Sequence, residues 1–535
     1  MESNARGTVT PKIFRSRRGA LTATWLVGVL GCVSAVHAEP AARTSSSSLG
    51  ARADVSAPWS ASGVYDGYVT NPSFHQGRDY LDYFDGPDTA DQVGLVAAEL
   101  SNGDILAAGL VPNYQSAGTC SNGTALCNIG LVRYTRSGAR VAWDDPSGFG
   151  FDGNHYLIYP NDALSGYQYI RDVKVHNGTI YVLLDHPDTS HAGLGRQDLT
   201  IASFFENGRP RGLISVLGQP GSSGDAEDFY GAQMAFMSNG HLIVTATDYD
   251  STSSYLAVSR LLVSDDGELD QDPSWGSAYA GGSNRIVRYP ANVPYTIGYA
   301  ANQVGFDAQD DFYVAGSEEG QGDSDLLVLK ISSLDGDYKH EFGGNGFVSV
   351  DFAQGGSDND YGRGLYVYRD DVYAAAEVAH GCQPGPGVVK LDGASGDVRW
   401  TALFAGQDAP CVGLQLGEIP LTMAATAGRI GLAGYVHEII TEGAEYYDPW
   451  LAVVDADTGI LVSQTWYPVI RWDGNRAGDG VFYSMLGGPN ANSAFVAVGN
   501  GRDSAQANEL GYLTGSFLPS SEVIFASNFD TSSID

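Results

Sequence analysis

The sequence predicts an all-β chain folded as a single β-propeller, most simply with seven four-stranded blades, six and eight being the alternatives. Composition is the first observation behind this. In 535 residues, 69 glycines, 30 tyrosines and only 17 % charged residues favour many short strands joined by turns over helices. The second is a glycine turn between two strands that recurs in RYTRSGARVAW, SFFENGRPRG, LLVSDDGELD, KISSLDGDYK, KLDGASGDVRW and VVDADTGILVSQTW. Its glycines, Gly138, Gly208, Gly267, Gly336, Gly396 and Gly459, lie 70, 59, 69, 60 and 63 residues apart, too regularly for unrelated loops. The third is an apolar strand ahead of these turns that usually closes on small residues: ILAAG, YVLLD, LIVTAT, YVAGS, YAAAE, IGLAG and, beyond the last turn, FVAVG. Seven such markers, in units with room for about four strands each, match propeller blades better than any helical repeat.

From the N-terminus, residues 1–38 read as a signal peptide. Lys12, Arg15, Arg17 and Arg18 precede the apolar run ALTATWLVGVL, and Val36-His37-Ala38 offers small residues at the cleavage positions. Ser16 to Leu21 loosely resembles a twin-arginine signal and the run ending at Cys32 a lipoprotein site; ordinary secretion, to the periplasm or the exterior, is the expectation. Residues 39–55 are a flexible linker of small residues, 56–518 the propeller and 519–535 a C-terminal tail. Within 56–90, the stretch GVYDGYV is placed to supply the outer strand of the last blade and clasp the ring. Loss of residues 1–38, with five bases and one acid, moves the net charge from −34 to −38. Nucleic acid and anionic membrane surfaces would repel such a body, and no other apolar run approaches the ~20 residues of a membrane span.

The outer strands carry a phrase of their own, HEFGGNGFVSVDF from His340, which returns as FGFDGNHYLIY from Phe149 and WGSAYAGGSNRIVRY from Trp275, with an echo in WYPVIRWDG from Trp466. These tails, each followed by an apolar strand, resemble delta-60 repeats, a propeller family of secreted bacterial proteins. The turns KLDGASGDVRW and VVDADTGILV are similar to the D-x-x-T-G hairpins of pyrroloquinoline-quinone-type propeller repeats. The resemblance covers roughly Asp91 to Phe517 and implies the fold while saying little of activity. A quinone-dependent dehydrogenase, the activity the second resemblance would imply, needs adjacent active-site cysteines that this chain lacks. The closing IFASNFD resembles the I-F-A-D-G-F-E tails of such exported proteins, with Ser-Asn in place of Asp-Gly and Asp530 in place of Glu.

The sequence lacks G-x-S-x-G, H-E-x-x-H and C-x-x-C, so the common serine-hydrolase, zinc-protease and dithiol signatures are absent. G-x-G-x-x-G occurs at Gly148 to Gly153, but it leads into the strand HYLIY where a phosphate site needs a helix N-terminus. No cofactor is expected apart from calcium, which the Asp-rich segments Asp265 to Asp272 and Gly355 to Asp360 could hold; solvated acidic turns are the plainer reading of both. Cys120 and Cys127, bracketing a short loop, and Cys382 with Cys411 are the expected disulfides.

Blade topology gathers a further set. The loop leaving a second strand opens on the same face as the loop entering the next inner strand. Residues just past the apolar markers therefore converge around one mouth: His186, Asp188, His191, Asp248, Asp250, Glu318, Glu319, Glu377, His380, His437, Glu438, Arg502 and Asp503. In the same frame, Arg171, Gln233, Gln303 and Arg363 start inner strands. Imidazole beside carboxylate suits ligand binding, acid–base work or a metal, while acidic loops on an acidic protein are the bland alternative. Tyr361, Phe482 and Tyr483 belong to a group of aromatics that could stack sugar rings or simply pack between blades. The resulting expectation is a binding or interaction module for an extracellular polysaccharide or protein. The alternative is a polysaccharide-active propeller enzyme, lyase or glycoside hydrolase, using the histidines and carboxylates of the mouth.

Overall fold

The computed structural model describes residues 68–70, 80–82 and, with interruptions at chain connections, 93–519. The signal segment, the linker, most of the tail, Cys120, Cys382, Cys411, His191 and Gln303 lie outside the described residues, as do the side chains of Cys127, His186, His380, His437 and Glu438. Among the described residues there is no helix, hence none long and apolar enough to cross a membrane. Seven antiparallel sheets of four or more strands follow one another along the chain.

Each sheet begins with an inner strand: Val93–Glu99, Tyr169–His176, Asp228–Phe236, the split pair Thr296–Gly298 and Val304–Phe306, Asp360–Tyr368, Gln415–Thr426 and Gly480–Leu486. Each inner strand touches the next, and Gly480–Leu486 touches Val93–Glu99, so the seven sheets close into a ring. The second strands are the apolar markers, Ile105–Pro112, Thr179–Pro187, Leu242–Tyr249, Phe312–Glu319, Asp371–His380, Arg429–Ile440 and Phe495–Asp503. Their continuous apolar character follows from burial on both faces, as expected for a sheet sandwiched between two others. Leu242, Val244 and Ala246 of the third blade pack with Tyr181 and Leu183 of the second. Val496 and Val498 of the seventh pack with Ala97 and Ala107 of the first. The core therefore sits between blades and continues through the point of closure.

The outer strand is a single piece in the second, fourth, fifth and sixth blades and a divided one in the first and third. There a short turn strand, Arg140–Val141 or Leu269–Gln271, is followed by a second piece on the same third strand, Tyr156–Tyr159 or Arg285–Tyr289. These second pieces are the recurring tail phrase, whose fourth-blade copy is the outer strand Phe347–Val350. The G-x-G-x-x-G segment is part of this device: Gly150–Phe151 pairs with Tyr156–Tyr159 in a hairpin. The seventh blade takes its outer strand from the N-terminal side, where Tyr68–Thr70 and Tyr80–Asp82 both pair with the final strand Glu509–Pro519.

The periodic glycines have a shared cause. All six sit at positive φ, between 71° and 97°, in the turn between third and fourth strands. At five consecutive junctions that turn offers a backbone carbonyl to the blade before it. Arg133 Nη1 donates to Glu206 O at 3.5 Å, Tyr181 Oη to Gly267 O at 3.0 Å and Arg260 Nη1 to Ser333 O at 2.5 Å. Gly393 O accepts from Tyr313 Oη at 2.6 Å and Lys330 Nζ at 2.8 Å, and Ala456 O from Tyr373 Oη at 2.9 Å and Lys390 Nζ at 3.3 Å. The cations are buried and paired, Lys330 with Asp307 at 3.0 Å and Lys390 with Asp371 at 2.9 Å. Each of the first five blades thus latches onto the turn of the next, and the spacing of the turns measures the spacing of the latches.

Candidate functional site at the junction of the fourth and fifth blades

Inner strands start, and second strands end, on one face of the ring. Second strands there finish on His186 and Pro187, Glu318 and Glu319, His380, Glu438 to Ile440, and Arg502 and Asp503, so the backbone brings these expected mouth residues to one level, while Asp188 and Asp250 lie outside the described residues. His380 and His437 lie on second strands of neighbouring blades, three residues or fewer from their ends.

Just below this level the inner strands share an irregularity. Register slips by one residue between Gly94 and Val96, Leu184 and Leu183 (opposite Ile170 and Asp172), Tyr230 and Gln233, Gly362 and Gly364, Pro420 and Thr422, and Phe482 and Ser484. The extra residues are Leu95, Arg171, one of Gly231 and Ala232, Arg363, Leu421 and Tyr483. A bulge removes its residue from the alternation that buries its neighbours and re-aims the side chain. Gly362 and Gly364 are buried, while the Arg363 side chain is 27 % exposed. The small residues that close the apolar markers face this slip. A Cβ on Gly434 would stand 1.9 Å from Ile419 O, and one on Gly499 1.8 Å from Val481 O, so a carbonyl just before the bulge occupies the space a side chain would need.

Two expected site residues meet here. Nε and Nη2 of Arg363 donate to the same oxygen, Oε2 of Glu377, at 3.0 and 2.5 Å. The Arg363 guanidinium carbon lies 5.8 Å from the ring centre of Tyr361, whose hydroxyl accepts from Asn359 Nδ2 at 2.9 Å. Asn359 fixes the junction in turn: its Oδ1 accepts from Ser324 N of the fourth blade at 2.9 Å, and its carbonyl from Ala379 N at 2.8 Å. Alongside, one carboxylate oxygen from each of Asp325, Asp351 and Asp360 lies within 4.8 Å of the other two. Asp360 is fully buried and accepts from Phe352 N at 2.7 Å through Oδ2. Among the described residues these three are the group that could hold a hard cation such as calcium. The other Asp-rich segment closes on itself: Asp272 pairs with Arg260 at 2.7 Å and accepts from Ser274 N and Oγ at 2.8 and 2.6 Å.

Two further expected residues meet at another junction. Gln233 Nε2 donates to Arg171 O at 3.4 Å, joining the second and third blades. Phe482 is fully buried against Phe517, with ring centres 5.8 Å apart, and serves packing. Asn359, Asp325 and Asp351 were not singled out from sequence. Asp351 closes F-V-S-V-D-F and Asn359 lies in GGSDND, so the usable signal was their place at either end of one blade-to-blade loop.

A closed ring of seven antiparallel sheets, with a polar and aromatic group at one mouth, defines a β-propeller with a candidate ligand face. No family model matches the sequence, and no curated protein matches it. Among solved structures, the chain is similar to the polysaccharide lyase Uly1, with 11 % identity and a TM-score of 0.41 over 68 % of this chain and 77 % of that one. It is similar to the endosialidase of phage phi92, with 10 % identity and a TM-score of 0.38 over 85 % and 70 %. It is also similar to an α-L-arabinanase of Penicillium chrysogenum, with 10 % identity and a TM-score of 0.30 over 54 % and 92 %. At such identities the likeness is one of fold.

Proposed function

We propose that this chain is a secreted propeller of the delta-60 repeat type whose mouth binds an extracellular polysaccharide, acting as a binding module. The observation that carries the reading is the grouping of Arg363, Glu377, Tyr361 and Asn359 at one blade junction. Planar donors and acceptors held beside an aromatic ring are what a hydroxyl-rich ring needs: directional hydrogen bonds at its edge and a flat apolar contact for its C–H face. Binding is favoured over catalysis because the one carboxylate in the group is engaged by arginine through two donors, an arrangement that fixes a recognition surface.

The test is a screen of residues 39–535 against insoluble and soluble polysaccharides, scored for retention and for new reducing or unsaturated ends. Retention without new ends is expected. New ends would select the polysaccharide-active enzyme, and absence of retention across the screen would sink the reading.

A further inference from the structure

We infer that the glycan taken at this mouth is uncharged or bears protonated amines, and that polyanionic glycans rich in uronate or sulfate are rejected; this rests on the reading of the mouth as a polysaccharide site. An arginine on a propeller wall would by itself suggest an anion, because its planar fork pairs with carboxylate and sulfate alike. Here the fork is already engaged, since Nε and Nη2 of Arg363 both donate to Glu377 Oε2. An incoming carboxylate would meet a cation whose charge is already balanced by Glu377, only 16 % exposed and of the same sign as the newcomer.

Asp325, Asp351 and Asp360 add negative charge to the same blade junction. Asp360 stands three residues before Arg363 on the same inner strand, an extended separation of about 10 Å, and its register partner Val378 adjoins Glu377. That separation is close to one Debye length at physiological salt, so these charges act on the same ligand with only partial screening. The whole chain reinforces them, with 63 acidic against 29 basic residues. A sugar hydroxyl incurs none of this repulsion, and a sugar ammonium gains from it.

The experiment is titration of the chain with three soluble polymers of similar length, an uncharged glucan, a partly deacetylated chitin and a polygalacturonate, each at low and at physiological salt. The expected result is affinity for the glucan, the chitin derivative or both, at least about tenfold tighter than for polygalacturonate, with the gap widest at low salt. Glu377→Gln keeps an acceptor for Arg363 and removes the competing charge, so it should narrow the gap by about tenfold; its melting temperature checks the fold. Asp351→Asn, at an exposed position, gives a second reading in the same direction if the first variant does not fold. Polygalacturonate bound by the native chain as tightly as the other polymers would overturn the inference while leaving polysaccharide binding intact. A gap unchanged in the folded variants overturns it too. Binding of none of the three at either salt brings down the reading of the mouth and the inference together.

Discussion

A single β-carbon separates the residues that this architecture tolerates beside the bulges from those it does not. At Gly434 and Gly499 the bulged inner strand turns a carbonyl into the space a side chain would fill, at 1.9 and 1.8 Å from an added Cβ. The obstacle is backbone, which cannot rotate away as a side chain would. Gly434→Ala should therefore cost about 3 kcal/mol, the upper range of overpacking, and lower the melting temperature measurably. Gly212→Ala, a strand glycine whose Cβ would meet only Ser203 Oγ at 3.7 Å, serves as the control without that obstacle. The same bulges explain what was legible at the site. Arg363 and Glu377 could each be named from the repeat frame, since one starts an inner strand and the other closes a marker. That they form a pair could not, because the slip between Gly362 and Gly364 has no signature beyond two glycines that read equally well as an ordinary turn. Replacing Arg363 by Ala should weaken glycan retention by about tenfold or more, the value of a lost charge-assisted contact. Retention equal to the native chain would remove Arg363 from the site.

The third-to-fourth-strand turn is the most informative element, because sequence period, backbone conformation and inter-blade bonding coincide in it. In the fifth blade the backbone N–H of Ser395 and Ala394, the Ser395 hydroxyl and the Arg399 guanidinium all bond Asp392, which holds its carboxyl down at about 2. A carboxyl depressed by folding adds stability that is complete above the ordinary carboxylate range, near pH 4, and is lost as pH falls toward 2. Melting curves of the native chain and of Asp392→Asn should therefore differ at pH 5 and converge between about pH 4 and 2; a constant difference would show that the charge does not matter. The latch behind the next turn makes a separate prediction. Lys390→Met leaves Asp371, a quarter exposed, without its cation and removes one donor from Ala456 O, which should cost about 1.5 to 3 kcal/mol, the worth of a charge-assisted hydrogen bond. Lys390→Met combined with Asp371→Asn should cost less than the single change, since no charge is then stranded, and urea unfolding of both variants measures the difference. Nothing in the sequence around Lys330 and Lys390 marks them as buried. Their burial comes from a turn some 60 residues away, which no local pattern encodes.

At the scale of the molecule, the repeat period conveyed an all-β ring and the markers its seven units, because a repeated unit must solve the same packing problem in each copy. The divided outer strands of the first and third blades and the broken inner strand of the fourth were less legible. Each arises where the chain departs from the period, and a pattern built on repetition is silent there. The pairing of Tyr68–Thr70 and Tyr80–Asp82 with Glu509–Pro519 sets up a final consequence, one of time. A ribosome delivers the first partner of this sheet more than 400 residues before the last, so the seventh blade cannot be completed until nearly the whole chain is available. Until then the ring is an open arc with an unsheltered blade at each end, the condition in which exposed strand edges find wrong partners. The slowest step of folding should be this late joining of distant segments, and it should disappear from the kinetics of a chain re-cut so that residues 60–85 directly follow residue 519.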